Sequence, residues 1–247
     1  MHEPFFYESG EDKDLVIFIH GFMGSPRQFS SLAQSVHSCG FAVASLLLPG
    51  HGGAMRDFSS ATMGQWLEHV ISEVGRLSGR YERIYLVGHS MGCLLAINAA
   101  VAYPTKVRGL LLIACPFRPR ITSLCSLTRQ MLCRKSHPIK AAYLESSSIP
   151  VRPDIALHSI KPTLELRRLM RITKDELSDV RVPVTAIYSA RDEVVTISSL
   201  DVLKKGLIHT TTRSIVLTES RHAYYPEYEQ GIIERALRDL CGVMQHK

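Results

Sequence analysis

Residues 84–100 read IYLVGHSMGCLLAINAA, and in this stretch Ser90 is flanked by glycines at positions 88 and 92. Ile84 to Val87 form a short apolar, β-favouring run, which predicts a buried strand. From Cys93 to Ala102 the chain is rich in Leu, Ala and Ile with no breaker until Pro104, which predicts a helix. The turn between them must be tight. Gly88 and Gly92 remove the Cβ atoms that would clash as the chain doubles back, and such a turn holds the central residue in a strained conformation with its side chain presented at the strand end. The pattern is G-x-S-x-G on a strand–turn–helix, the signature of a nucleophile elbow.

The alternation extends outward from this stretch. Strand-like runs occur at Leu15 to Ile19, Phe41 to Leu48, Ile84 to Val87, Val107 to Ala114, Val184 to Tyr188 and Ser214 to Leu217. Helical segments fill the gaps from Pro26 to Ser38, Thr62 to Leu77, Met91 to Tyr103, Ser198 to Lys205 and Pro226 to Leu240. The fold class is therefore α/β: a mostly parallel sheet with helices on both faces. One interval breaks the rhythm. Nearly 70 residues separate Cys115 from Val184, with helical pieces at Leu124–Cys133, Ile139–Leu144 and Thr163–Met170 interrupted by Pro138, Pro150, Pro153 and Pro162. That length exceeds an ordinary crossover. The expected division is a core of residues 1–115 and 183–247 with a helical cap inserted at 116–182.

Composition narrows the function classes. The 247 residues are 45% hydrophobic and 21% charged, as in an ordinary globular protein. The longest apolar runs fall far short of the roughly 20 residues of a membrane-spanning helix, and the first residues lack the basic start and apolar centre of a signal peptide. The expectation is a cytoplasmic protein with no membrane span, although transient contact with a lipid surface stays open. The net charge of +6 is unevenly placed: residues 116–182 hold 13 Lys/Arg against 6 Asp/Glu, the remainder 16 against 17. No aromatic residues interleave the basic ones in the manner of a nucleic-acid site, so no nucleic-acid partner is expected. A solvated face or attraction to an acidic substrate or anionic surface remains. The six cysteines, at 39, 93, 115, 125, 133 and 241, contain no CxxC pair, and Cys125, Cys133 and His137 match no zinc spacing. Neither a disulfide framework nor a metal is expected.

In open parallel sheets, functional groups collect where strands end. After Leu15–Ile19 comes HGFMGSP, a Gly-rich turn. Ser90 follows the strand at Ile84–Val87. SARDEVV, with Asp192, follows Val184–Tyr188, and TESRHAYYPE, with His222, follows Ser214–Leu217. A serine hydroxyl needs a base to take its proton and a carboxylate to hold that base in the right tautomer. Ser90, His222 and Asp192 fit these roles as nucleophile, base and acid, in the order Ser, Asp, His. The backbone N–H groups of Met91 and Phe22 are the candidate oxyanion donors. His89 is a weaker candidate base because its neighbour occupies the elbow, while His20 and His51 fit loop-stabilising roles and His209 fits the surface. Glu193 competes with Asp192 as the acid, and Asp201 falls within a helix. Trp66 fits either a pocket wall or a core anchor.

The segments HGFMGSP, LPGHG, GHSMGC, SARDEVV and SRHAYYPE, in this order, resemble the α/β-hydrolase superfamily across nearly the whole chain, and in size and single insertion resemble bacterial carboxylesterases and monoacylglycerol lipases. The resemblance implies cleavage of carboxylic esters through an acyl-enzyme, with no metal or organic cofactor and with a small-molecule ester as partner. Small to medium acyl esters, monoacylglycerols included, are the implied substrates. Cys93 stands where the family commonly has a second glycine, a position that faces helix packing. A C–C bond hydrolase, an acyltransferase or thioesterase, and a non-catalytic receptor are the alternatives; epoxide and haloalkane hydrolysis need a carboxylate at the elbow, where this chain has Ser90.

Overall fold

The computed structural model describes residues 2–10, 13–120, 138–149 and 154–243. Its sheet comprises β1 (Phe5–Tyr7), β2 (Asp14–Ile19), β3 (Ala42–Leu46), β4 (Arg83–His89), β5 (Val107–Ile113), β6 (Val184–Ser189) and β7 (Thr212–Leu217), in the spatial order β1-β3-β2-β4-β5-β6-β7. All neighbours run parallel except β1, which pairs antiparallel with β3 at the edge. Strand β2 has β3 on one side and β4 on the other, so the strand order reverses between them. Ile19 pairs with Gly88 at the carboxyl end of this seam. The loop after β2 and the turn after β4 therefore emerge side by side at the topological switch point, where open α/β sheets build their sites.

The strand residues alternate between two cores, as the two-residue period of a strand requires. Leu15, Ile17, Ile19, Ile84, Leu86, Leu110 and Leu112 face one. Val16, Phe18, Tyr85, Val87, Leu111 and Ile113 face the other. Helices α1 (Ser30–His37) and α9 (Glu227–Leu240) cover the second face through Ala33, Val36, Ile233, Ala236 and Leu237. The first face carries α3 (Met63–Ser78) and α4 (Met91–Ala102). Helix α4 is buried almost all round, which explains its unbroken apolar sequence. Its half-buried Asn98 satisfies its amide by donating to Leu94 O and to Thr173 Oγ1 at 2.8 and 2.7 Å. Trp66 of α3 is fully buried in this core and donates its indole N–H to Pro49 O at 3.0 Å, so it is a core anchor. A short helix α2 (Met55–Ser60) precedes α3.

Between β5 and β6 lies an inserted helical region containing α5 (Pro138–Ser146), α6 (Ile155–His158) and α7 (Ile160–Glu176); α8 (Ser199–Gly206) follows β6. Pro162 does not interrupt a helix, contrary to expectation. It sits in the first turn of α7, where its missing N–H would have had no intrahelical acceptor. Pro226 caps α9 rather than lying inside it. The expected helix at 124–133, together with Cys125, Cys133 and His137, lies outside the described residues. Among the described residues no helix is long and apolar enough to cross a membrane, and no group of three or more His, Cys, Asp or Glu could hold a metal ion.

Candidate active site

Ser90 joins β4 to α4 with φ 53° and ψ −120°, a left-handed conformation that costs a non-glycine residue about 1–3 kcal/mol. Close packing imposes it. A Cβ at Gly88 would lie 2.5 Å from Cys93 N, and one at Gly92 would lie 2.0 Å from Ile19 O. Cys93 is buried with its thiol 3.1 and 3.2 Å from the carbonyl oxygens of Gly88 and Ile113, so the departure from glycine is absorbed inside the turn. Ser90 itself is buried, its N–H donating to Ile113 O at 2.8 Å.

Two histidines shape the loop after β2. His20 donates from Nδ1 to Gly21 O at 2.9 Å and accepts at Nε2 from Leu48 N–H at 3.1 Å. His51 donates from Nδ1 to Pro49 O and accepts at Nε2 from Met23 N–H, each at 3.2 Å. Both must be neutral to do this. Burial pushes His51 down to about 4; burial and the neighbouring His51 ring hold His20 well below its usual value. The bond from His51 fixes Met23 in a left-handed conformation, φ 60°. With Met23 N–H given to His51 and Gly24 N–H to Gly21 O, the Phe22 N–H remains unpaired among the described residues. Met91 N–H, in the first turn of α4, likewise has no intrahelical acceptor.

Asp192 and His222 meet across the sheet end. His222 Nδ1 donates to Asp192 Oδ2 at 2.8 Å, while Asp192 Oδ1 accepts from Val194 and Val195 N–H at 2.7 and 2.8 Å. Burial alone would raise the Asp192 carboxyl, but His222 and the two backbone donors outweigh it and hold the pKa below the usual range. For His222, burial pulls downward, and the charge and hydrogen bond of Asp192 with the charge of Glu193 prevail, so its pKa is raised. Asp192 is thus the carboxylate on the histidine ring. Glu193 instead accepts the phenol hydrogen of Tyr143, from α5, on one oxygen and His222 N–H on the other at 3.4 Å. Asp201 and His209 are exposed, on α8 and in the loop beyond it.

The His222 loop has further holders that the sequence did not single out. Glu229 of α9 is buried and accepts from the N–H groups of Thr218, Glu219 and Ser220 and from the Ser220 hydroxyl. Ser189 Oγ donates to Ser220 O at 2.5 Å. His222 O accepts from Tyr225 Oη at 3.0 Å and from His89 Nε2 at 2.8 Å. His89 is therefore no base for Ser90: its proton is committed to a carbonyl, and burial, with the neighbouring His222, pushes its pKa to about 3. An acidic residue just inside the helix after the histidine loop is the one sequence signal that points to Glu229. A cavity of about 600 Å³ opens beside His89, between Phe29, Ala141, Ala142, Tyr225 and Ile233. Neither Ser90 nor His222 lines it.

Comparison with known proteins agrees with this geometry. The chain is 29% identical to the thermostable monoacylglycerol lipase of Bacillus sp. (strain H-257) over 242 residues, 95% of this chain and 92% of the relative. Its fold matches a solved structure of the metagenome-derived lipolytic enzymes LipS and LipT with a TM-score of 0.75 at 23% identity, covering 98% of both chains. It also matches the monoacylglycerol lipase of Paleococcus ferrophilus with a TM-score of 0.72 at 16% identity, covering 97% of this chain and 99% of that one. The family model described as serine aminopeptidase, S33 (Hydrolase_4) matches residues 10–229, and the chain belongs to this family of serine hydrolases with the α/β-hydrolase fold.

Proposed function

We propose that the protein hydrolyses carboxylic esters through an acyl-enzyme, with Ser90 as nucleophile, His222 as general base and Asp192 as its orienting carboxylate. The observation that carries this reading is the 2.8 Å bond from His222 Nδ1 to Asp192, which leaves Nε2 as the basic nitrogen of the ring; Ser90 stands on a strained elbow next to His89, whose ring lies 4.9 Å from that of His222. In the first step Nε2 takes the Ser90 proton as Oγ attacks the ester carbonyl. The developing oxyanion is received by the N–H groups of Phe22 and Met91, and the imidazolium returns its proton to the leaving alcohol. Water then repeats the sequence on the acyl-enzyme. The residues perform these steps with no metal or organic cofactor.

Residues 116–182 are assigned as a cap over this site, and 1–115 with 183–247 as the core. Support comes from Ile149 and Ile155, which pack on Phe58 together with Phe22 and Met23 of the oxyanion loop, and from Ser148 N–H, which donates to Met23 O at 2.9 Å. The apolar contact that Ile149 and Ile155 make with Phe22 and Phe58, and a monoacylglycerol lipase as relative, favour acyl esters of glycerol as substrates. The thiols of Cys39, Cys93, Cys115 and Cys241 are free, which suits a cytoplasmic setting. The test is turnover of p-nitrophenyl esters of increasing acyl length, of a monoacylglycerol and of an amino-acid p-nitroanilide, with fluorophosphonate labelling of wild type, Ser90→Ala and His222→Ala. Ester turnover and labelling that vanish in both variants support the assignment. Turnover confined to the anilide would replace it with an aminopeptidase.

A further inference from the structure

Glu193 follows Asp192 directly in the loop after β6 and holds different partners. One carboxylate oxygen accepts the phenol hydrogen of Tyr143 on α5, and the other accepts His222 N–H at 3.4 Å. Tyr143 is buried and its pKa is pushed up, first by burial and then by the charge of Glu193, so the phenol stays a donor throughout the working range. Two residues beyond α5, Ser148 N–H grips Met23 O of the oxyanion loop. The stretch 143–148 therefore touches both halves of the site, the oxyanion loop at one end and the acid–base loops at the other.

We propose that Tyr143 and Glu193 form a latch through which the seating of the inserted region sets the position and proton affinity of His222, making both of them positioning residues. This rests on the assignment of His222 as general base. With the region seated, the phenol draws charge from Glu193 and the carboxylate pins the His222 backbone. When the region lifts, the same carboxylate loses its donor and its full charge faces the imidazole, favouring imidazolium over free base. Among the described residues, the groups facing His222 are Asp192 and Glu193 from the loop after β6, His89 from the end of β4 and Tyr225 from its own loop. His89 is neutral and Tyr225 is a protonated phenol, burial raising its pKa well above the usual value, so the variable charge beside Asp192 is Glu193. Ester cleavage would then be fastest when substrate and inserted region are both in place.

The experiment is the pH profile of kcat/KM, together with the rate of labelling by a small fluorophosphonate, for wild type, Tyr143→Phe, Glu193→Gln and the double variant. The acidic limb should move to lower pH in Glu193→Gln, because a negative charge beside His222 has gone. In Tyr143→Phe it should move to higher pH, with labelling at neutral pH slowed roughly tenfold by looser positioning. In the double variant the phenylalanine should add nothing to the limb, since its effect passes through the carboxylate. A limb unmoved in Glu193→Gln of wild-type melting temperature overturns the latch, as does a Tyr143→Phe shift that persists undiminished when Glu193 is already Gln. If Glu193→Gln does not fold, an unmoved limb in Tyr143→Phe alone is enough to overturn it. Failure of the triad reading looks different: His222→Ala would still label at Ser90.

Discussion

The elbow and the histidine loop, the two halves of the proposed reaction, are held in opposite ways. Ser90 is fixed by backbone: glycines at 88 and 92 let the chain pass within contact of Cys93 and Ile19, and its side chain needs no partner to stay in place. His222 is fixed by side chains drawn from distant elements, with Asp192 on its ring, Glu193 on its N–H, His89 and Tyr225 on its carbonyl, and Glu229 on residues 218–220 of its loop. A nucleophile must be in one place, and a rigid turn is the least costly way to achieve this. A base that shuttles protons needs a tuned charge environment, and only side chains supply that.

That contrast can be broken at either end. Ser90→Ala removes chemistry without disturbing the elbow, so ester turnover should fall on the order of 10⁴-fold or more at unchanged melting temperature. Kinetics and calorimetry on the same preparation check it. Gly92→Ala attacks the elbow's geometry: with backbone in the way of the new methyl, a loss of at least about 3 kcal/mol in stability is expected from urea unfolding, with activity falling alongside. In the histidine loop, Glu229→Gln should keep the fold and slow turnover by roughly tenfold, because the loop loses charge-assisted bonds. The Glu229 pKa is lowered, the Ser220 hydroxyl and the N–H groups of residues 218–220 outweighing burial, so its contribution to stability is full above the ordinary carboxylate range and is lost as pH falls from there through the lowered folded-state value. The stability gap between wild type and Glu229→Gln, measured by unfolding at pH 7 and in acid, should therefore narrow in acid. The smallest effect belongs to Cys93→Ala, which removes a packed thiol but leaves the turn: stability should drop by about 1 kcal/mol and kcat should hold.

The same contrast explains what could be read in advance. The elbow is a local object, five residues whose spacing carries its geometry, and the strands around it announce themselves by apolar runs buried on both faces. The order Ser90, Asp192, His222 follows from strand ends. What binds His222 is not local. His89 stands 133 positions before it and Tyr143 is 50 positions from Glu193, and no pattern within a window joins them. Glu193 was visible only as a carboxylate near the right place, and geometry separated it from Asp192. Strand β1, three residues long, is too short to show a period, and Pro162 reads as a breaker because a proline in the first turn looks the same in sequence as one that ends a helix.

The buried histidines carry a cost that appears only when the solution is made acidic. His20, His51 and His89 are each held neutral by the fold, whereas in the unfolded chain each takes up a proton near pH 6.5. Below that pH the unfolded state binds up to three more protons than the native one. Folding free energy should then fall by about 4 kcal/mol per pH unit until the native rings themselves begin to charge, near pH 4 for His51. His222 cannot offset this, since its raised pKa means that it is already charged in both states there. Mild acid should first switch the enzyme off reversibly by protonating one ring. Only slightly stronger acid should then melt it, so the histidines that brace the loops after β2 and β7 narrow the pH range over which the protein survives its own inactivation.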